Sequence, residues 1–88
     1  MEDAIRLTLV SSGGQSWEKQ VAGVTLPAEF GSLGILHGHA PMLCAVKKGV
    51  LRCRFGEGES LRLMISDGIA NVGDNEVTLL LSDFREIE

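Results

Sequence analysis

The sequence predicts an all-β domain, a sandwich or barrel of short strands. Three observations carry that expectation. Apolar residues recur at every second position over most of the chain, the period of a half-buried strand. Clusters of Gly, Asp, Asn and Pro interrupt that alternation about every eight to twelve residues. No stretch places apolar residues at the three- and four-residue spacing of an amphipathic helix.

The elements follow in order. Over residues 4–10, Ile5, Leu7 and Leu9 alternate with Arg6 and Thr8, a half-buried strand. Ser11-Ser12-Gly13-Gly14 is a turn cluster. Residues 15–19 form a short second strand with Trp17 directed inward, and 21–26 a third, with Val24 and Leu26 on one face. Pro27 is expected to stop it, because proline cannot donate to a ladder. Within 28–41, Gly31, Gly34 and Gly38 interrupt regular structure, while Leu33, Ile35 and Leu36 anchor a short strand between two loops. Pro41 pushes Ala40 toward an extended conformation.

Residues 42–46 are the next strand and Lys47-Lys48-Gly49 a turn. In 50–55, Leu51, Cys53 and Phe55 oppose Arg52 and Arg54. Gly56-Glu57-Gly58-Glu59 is a flexible charged turn. Leu61, Leu63 and Ile65 then alternate with Arg62 and Met64. Asp67-Gly68 carries a two-residue turn signal. A short strand over 69–72, a turn at Gly73-Asp74-Asn75 and a last strand over 77–81 complete the pattern. The charged end, Asp83-Phe84-Arg85-Glu86-Ile87-Glu88, reads as the first turn of a helix.

Composition narrows the function. At 88 residues the chain is one domain, and Lys+Arg 8 against Asp+Glu 12 leaves a net charge of −4. That balance disfavours nucleic acid, whose phosphates need basic residues. No apolar run approaches the roughly 20 residues that span a bilayer. Glu2 and Asp3 stand where a signal peptide would be basic, so no secretion signal is expected. A hydrophobic content of 44% is too high for disorder. Cys44 and Cys53 lack C-x-x-C spacing and read as small apolar residues in a reducing compartment, although one disulfide between them stays open.

Few residues point to chemistry. His37-Gly38-His39, after Gly31, matches the opening of the cupin metal motif, which needs a Glu a few residues on and a third His. Leu43 and Cys44 stand where that Glu would fall, and the chain has only two His. A cupin-like metal enzyme is therefore an alternative without its ligand set, and the expectation is no metal, no cofactor and no catalytic residue. Ser11, Ser12, Ser16, Ser60, Ser66 and Ser82 lack a G-x-S-x-G context. Asp67 and Asp74 read as turn formers. The glycines precede no helix, so there is no phosphate-cradling junction. Lys47-Lys48 reads as a solvated turn, and Arg52, Arg54 and Arg62 as a solvated sheet face. Phe30, Leu33 and Met42, apolar and set among glycines and a proline, are either core plugs or a contact patch.

Residues 24–55 carry a resemblance. The run Val24-Thr25-Leu26-Pro27-Ala28-Glu29-Phe30-Gly31, then Leu33-Gly34-Ile35-Leu36, then Gly38-His39-Ala40-Pro41-Met42-Leu43, then Gly49-Val50-Leu51-Arg52 resembles the epsilon subunit of F-type ATP synthases. The family pattern there is an acidic Gly loop, G-[IV]-L-P-x-H-A-P-L-L and a K-x-G-x-[LI] hairpin. Ser66-Asp67-Gly68-Ile69-Ala70-Asn71-Val72 looks like its S-G-G-x-x-x-V segment, and Asp74-Asn75-Glu76-Val77-Thr78-Leu79-Leu80 like its N-x-V-T-[VI]-L strand. The alternating N-terminal strand and Trp17-Glu18 fit as well. His37 replaces the family's Pro, Asp67 a Gly, and Ser82-Asp83-Phe84 the usual Ala-Asp-Thr.

The resemblance implies a flattened antiparallel β-sandwich of about ten short strands over residues 1–83. Residues 84–88 would be the tail where the family's two-helix hairpin begins. That hairpin carries inhibition and, in some members, ATP binding, and neither is assigned to this chain. The implied role is a non-catalytic rotor subunit of the central stalk, bound to the gamma subunit and the c ring and coupling proton flow to ATP synthesis. It would sit peripherally on the cytoplasmic face of a bacterial inner membrane, or the equivalent face of another energy-coupling membrane, without entering the bilayer. By position, Glu29, Phe30, Gly31, Ser32 and Leu33 would touch the c ring, with His39 near the same end. Ser32 stands where relatives often carry an acidic residue, and Glu29 is placed to supply that charge. A generic β-sandwich adaptor is the remaining alternative.

Overall fold

The computed structural model describes residues 4–56 and 58–87. The acidic pair Glu2-Asp3, Glu57 of the charged turn, and Glu88 lie outside them. Ten strands follow one another: β1 (Ile5–Ser11), β2 (Ser16–Val21), β3 (Gly23–Ala28), β4 (Gly31–Leu36), β5 (Met42–Val46), β6 (Gly49–Arg54), β7 (Ser60–Ile65), β8 (Gly68–Gly73), β9 (Glu76–Leu81) and β10 (Phe84–Ile87). No helix occurs among the described residues.

The strands pair in the order β10-β7-β6-β3-β5-β8-β9-β1-β2, with β4 on the other side of β3. The pairings are antiparallel except β1 with β9, which is parallel. β3 joins the two halves: Gly23, Val24 and Thr25 pair with β6, and Ala28 pairs with Val46 of β5. The sheet curls until its edges meet, where Trp17 Nε1–H of β2 donates to Glu86 Oε2 of β10 at 3.1 Å. Between the halves, alternate residues close the core. Ile5, Leu7, Leu9, Val21, Leu51, Leu63, Val77 and Leu79 are all fully buried, and Trp17, half-buried, packs against them.

Several expectations need correction. β3 runs through Pro27 to Ala28 instead of stopping at Leu26. Pro27 falls where β3 leaves β6 and reaches β5, so no ladder donor is needed, and its carbonyl accepts from Lys47 N–H at 2.7 Å. Gly31 and Gly34 lie within β4 and do not break it. Residues 84–87 are a strand on β7, not a helical turn, because Phe84 faces Ile65 and is buried. The sheet therefore extends past residue 83. Neither Lys47-Lys48 nor Asp67-Gly68 closes a hairpin, since β5 does not pair with β6, nor β7 with β8. Both connections carry the chain from one half of the sandwich to the other, and Lys48 N–H donates to Asp67 Oδ1 at 2.6 Å. The turn between β8 and β9 is a true two-residue hairpin. Asp74 and Asn75 have φ of 51° and 59°, the geometry such turns require.

Candidate docking surfaces

The described residues offer three surface features and no assembled reaction centre. The first is the β3–β4 hairpin. Ala28 pairs with Gly31, so Glu29 and Phe30 form its two-residue tip. Both are exposed, Phe30 by 67%, as are Gly31 and Ser32 behind them. Leu33 belongs to the other face of the strand. It pairs with Leu26, is half-buried and packs against the core. Of the six residues expected at or near a c-ring contact, Glu29, Phe30, Gly31 and Ser32 thus stand out from the end of the sandwich, and Leu33 packs behind them.

His39 is not at that end. β4 runs away from the tip, the chain turns over 37–41, and β5 runs back until Val46 meets Ala28. At about 3.3 Å per residue, the four steps from Met42 to Val46 separate the two ends by about 13 Å. His39 sits at the far end, beside the β8–β9 turn, where Gly38 N–H donates to Asn75 Oδ1 at 2.7 Å. Sequence neighbourhood suggested a single end because it does not show that a whole strand intervenes. His39 Nδ1–H donates to the Ala40 carbonyl at 2.7 Å, which occupies one of its two possible ligand atoms. Among the described residues no three His, Cys, Asp or Glu side chains group as a metal site would need. The shallow hollow nearest this turn, about 330 Å³, is lined by Pro41, Asn71, Asp74, Glu76 and Thr78 among others, with no His or Cys.

The second feature is an apolar row that the sequence reading missed. On the outer face of β5-β8-β9-β1, Ala45 pairs with Ile69, Ile69 with Leu80, and Leu80 with Val10. Paired residues share a face, so the row crosses four strands. Ile69 is 48% exposed, Leu80 55% and Leu43, two residues along β5 from Ala45, 69%. Asn71, Thr78 and Thr8 form the polar row beside it. The signal was present in Leu79-Leu80-Leu81. A strand with one wet face needs only two of those three leucines inside.

The third feature is a set of hydrogen bonds that stiffens the hairpin-tip end. Ser66 Oγ accepts from Ser82 N–H at 2.9 Å and Asp83 N–H at 3.2 Å, and Ser66 N–H donates to the Asp83 carbonyl at 3.1 Å. With the Lys48–Asp67 bond, three inter-sheet connections are tied together. Within the core, burial pushes the Cys53 thiol up to about 11, with the Glu86 carboxylate adding to the rise and Lys19 opposing it. Cys53 and Cys44 are both free, so the open disulfide reading is settled against.

Comparison with known proteins adds to this geometry. Residues 4–86 match the family described as ATP synthase, delta/epsilon chain, beta-sandwich domain. An ATP synthase epsilon chain of Cyanothece sp. is 46% identical over 66 residues, covering 75% of this chain and 47% of the relative. A chloroplastic epsilon chain of Cyanidioschyzon merolae is 33% identical over 82 residues, covering 93% and 62%. This chain thus spans about half to three-fifths of the length of these relatives. Among solved structures, a chain in the Euglena gracilis mitochondrial ATP synthase, resolved as OSCP/F1/c-ring, superposes with a TM-score of 0.83 at 26% identity, covering 94% of this chain and 53% of that one. A chain of the Tetrahymena thermophila enzyme, at 19% identity and a TM-score of 0.76, shares the fold.

Proposed function

The chain belongs to the family of ATP synthase delta/epsilon β-sandwich domains, and from that premise we propose that it is a rotor-stalk module of an F-type ATP synthase, without catalysis of its own. It sits between two partners and turns with them, linking proton flow to ATP synthesis. The apolar row Val10, Leu80, Ile69 and Ala45, with Leu43, carries this reading. A flat, apolar sheet face on a small domain is an interface awaiting cover, and the gamma subunit is its proposed occupant. The hairpin tip Glu29, Phe30, Gly31 and Ser32 lies at one end and is the proposed contact to the c ring. The Euglena relative supports this, since it was resolved together with a c-ring. His39, at the opposite end, lies outside that contact.

A side face and an end face suit a body wedged between a shaft and a ring. Stiffness is what torque transfer asks of such a body, and ten strands locked by cross-strand pairs and tied connections provide it. The proposed location is peripheral, on a membrane-bound complex, at the cytoplasmic face of a bacterial inner membrane or its chloroplast equivalent. Co-expression with the cognate gamma subunit tests the reading. The chain should co-purify with gamma, and Leu80→Asp with Ile69→Asp should abolish that while leaving the melting temperature within a few degrees. A folded wild-type chain that does not associate with gamma would overturn the assignment.

A further inference from the structure

The other outer face of the sandwich is as distinctive as the apolar one. Arg52 pairs with Arg62 across β6–β7, and Arg62 with Ile87 across β7–β10. Arg54 lies two residues along β6 from Arg52, and Arg85 two residues along β10 from Ile87. Both therefore share that face. All four arginines are exposed. Half of the chain's eight basic residues thus crowd one face of a protein whose net charge is −4. Among the described residues, ion pairs form only at Arg6, on the other half of the sheet. None of the four arginines pairs with a carboxylate among the described residues.

Such a face is unfavourable for the isolated domain. Like charges directly opposite on a sheet repel, and Arg52 stands directly opposite Arg62. One of the arginines is also held flat. A Cβ on Gly23 would lie 2.7 Å from an Arg54 guanidinium nitrogen, so the glycine is what lets that side chain lie across β3 beside Leu36. Val50, Met64 and Ile87 are interleaved with the arginines, each only partly buried.

We infer that this face docks an acidic, amphipathic segment of a partner protein, whose carboxylates pair with Arg52, Arg54, Arg62 and Arg85 while its apolar side chains cover Val50, Met64 and Ile87. The guanidinium fork matches a carboxylate in a two-bonded geometry that lysine does not offer. The hollows on this face, beside Arg62 and Ile87 and beside Met64 and Arg85, are open to solvent. Such a surface favours an extended or helical segment over a small anion, which would need an enclosed site. The apolar interleaving separates this partner from nucleic acid, whose backbone offers phosphate at every step and nothing to cover a methionine. The surface is independent of the apolar row, which lies on the opposite face.

The test uses the whole chain and a defined probe: a fluorescein-labelled 18-residue helical peptide of Glu, Leu and Ala, with a control peptide carrying Gln for Glu. Fluorescence anisotropy should show binding of the Glu peptide, weakening steeply with salt, and none of the control. Arg52→Gln with Arg62→Gln should weaken it at least ten-fold, and Arg6→Gln, on the other half of the sheet, should leave it unchanged. The double variant should fold at least as stably as the wild type, since a like-charge pair is removed, and should bind gamma normally. Absence of peptide binding, or binding equal in the double variant, overturns the inference. Tighter binding to phosphatidylglycerol vesicles than to the peptide, lost in the same variant, overturns it in favour of a membrane surface.

Discussion

Replacing Gly68 with alanine should destabilise the sandwich strongly, although Gly68 has no unusual backbone angle. It opens β8 between two neighbours, opposite Val46 of β5 and Leu81 of β9. A Cβ there would run into the Leu80 carbonyl oxygen and sit 2.7 Å from Leu81 Cδ2. Contact begins near about 3.5 Å, so β8 and β9 must part by about 1 Å. The obstacle is backbone and cannot rotate away. Overpacking a core costs about 1–3 kcal/mol, and an immovable oxygen places this change at the upper end. In a domain of this size each kcal/mol lowers Tm by about 4–8 °C, so a fall of at least about 10 °C is expected. Gly34→Ala is the control: its Cβ would meet nothing within 4 Å, and its stability should stay level or rise, because glycine in a strand costs about 0.5–1 kcal/mol relative to alanine. Thermal and urea unfolding followed by Trp17 fluorescence would measure both. If Gly68→Ala melts with the wild type, the close approach of β8 to β9 is wrong, and with it the placement of the connection at Ser66-Asp67.

The same packing sets three further outcomes. Phe30→Asp should leave stability within about 0.5 kcal/mol, while Leu33→Asp, which drives a carboxylate against the core, should cost about 2 kcal/mol or more by urea titration; equal effects would mean that both residues stand outside. An aromatic disulfide reagent at neutral pH should modify Cys44 in the folded chain and reach Cys53, 1% exposed, only on unfolding; rapid reaction of both thiols would contradict the burial of Cys53. Because the folded Cys53 holds its proton up to about 11 against an ordinary 9.0, its contribution to stability is complete below pH 9 and is lost as pH rises toward 11. Cys53→Ala should flatten that alkaline decline, and an unchanged decline would place its cause elsewhere.

The strands were legible in the sequence where one face is dry and the other wet. Alternation alone locates the strands containing Ile5, Leu7 and Leu9, and Leu51 and Cys53, because Ile5, Leu7, Leu51 and Cys53 are each followed by an Arg or Thr on the opposite face. β10 was hidden because Arg85 and Glu86 leave it a single buried anchor, Phe84, and one anchor has no period. Hairpins and crossovers were indistinguishable for a different reason. Asp67-Gly68 and Asp74-Asn75 both read as tight turns, yet only the second reverses the chain onto its neighbour. What separates them is the set of long-range pairings, β8 with β5 and β7 with β10, which no local residue type encodes. The proposed docking surfaces were half legible. Family resemblance led to the tip at Glu29 and Phe30, whereas the apolar row is assembled from four strands and becomes visible only once their register aligns Ala45, Ile69, Leu80 and Val10.

The stalk assignment is tested most directly by the affinity of the purified chain for its cognate gamma subunit, measured by calorimetry on wild type, Leu80→Asp and Arg52→Gln. A protein-sized interface with an apolar centre should give a Kd near micromolar or tighter, at least about −8 kcal/mol. Leu80→Asp should weaken it by at least 1.4 kcal/mol, about ten-fold, and Arg52→Gln should leave it unchanged. A folded wild-type chain that releases no heat and shows no complex at about 100 μM, a concentration at which a micromolar complex is nearly saturated, would contradict the account.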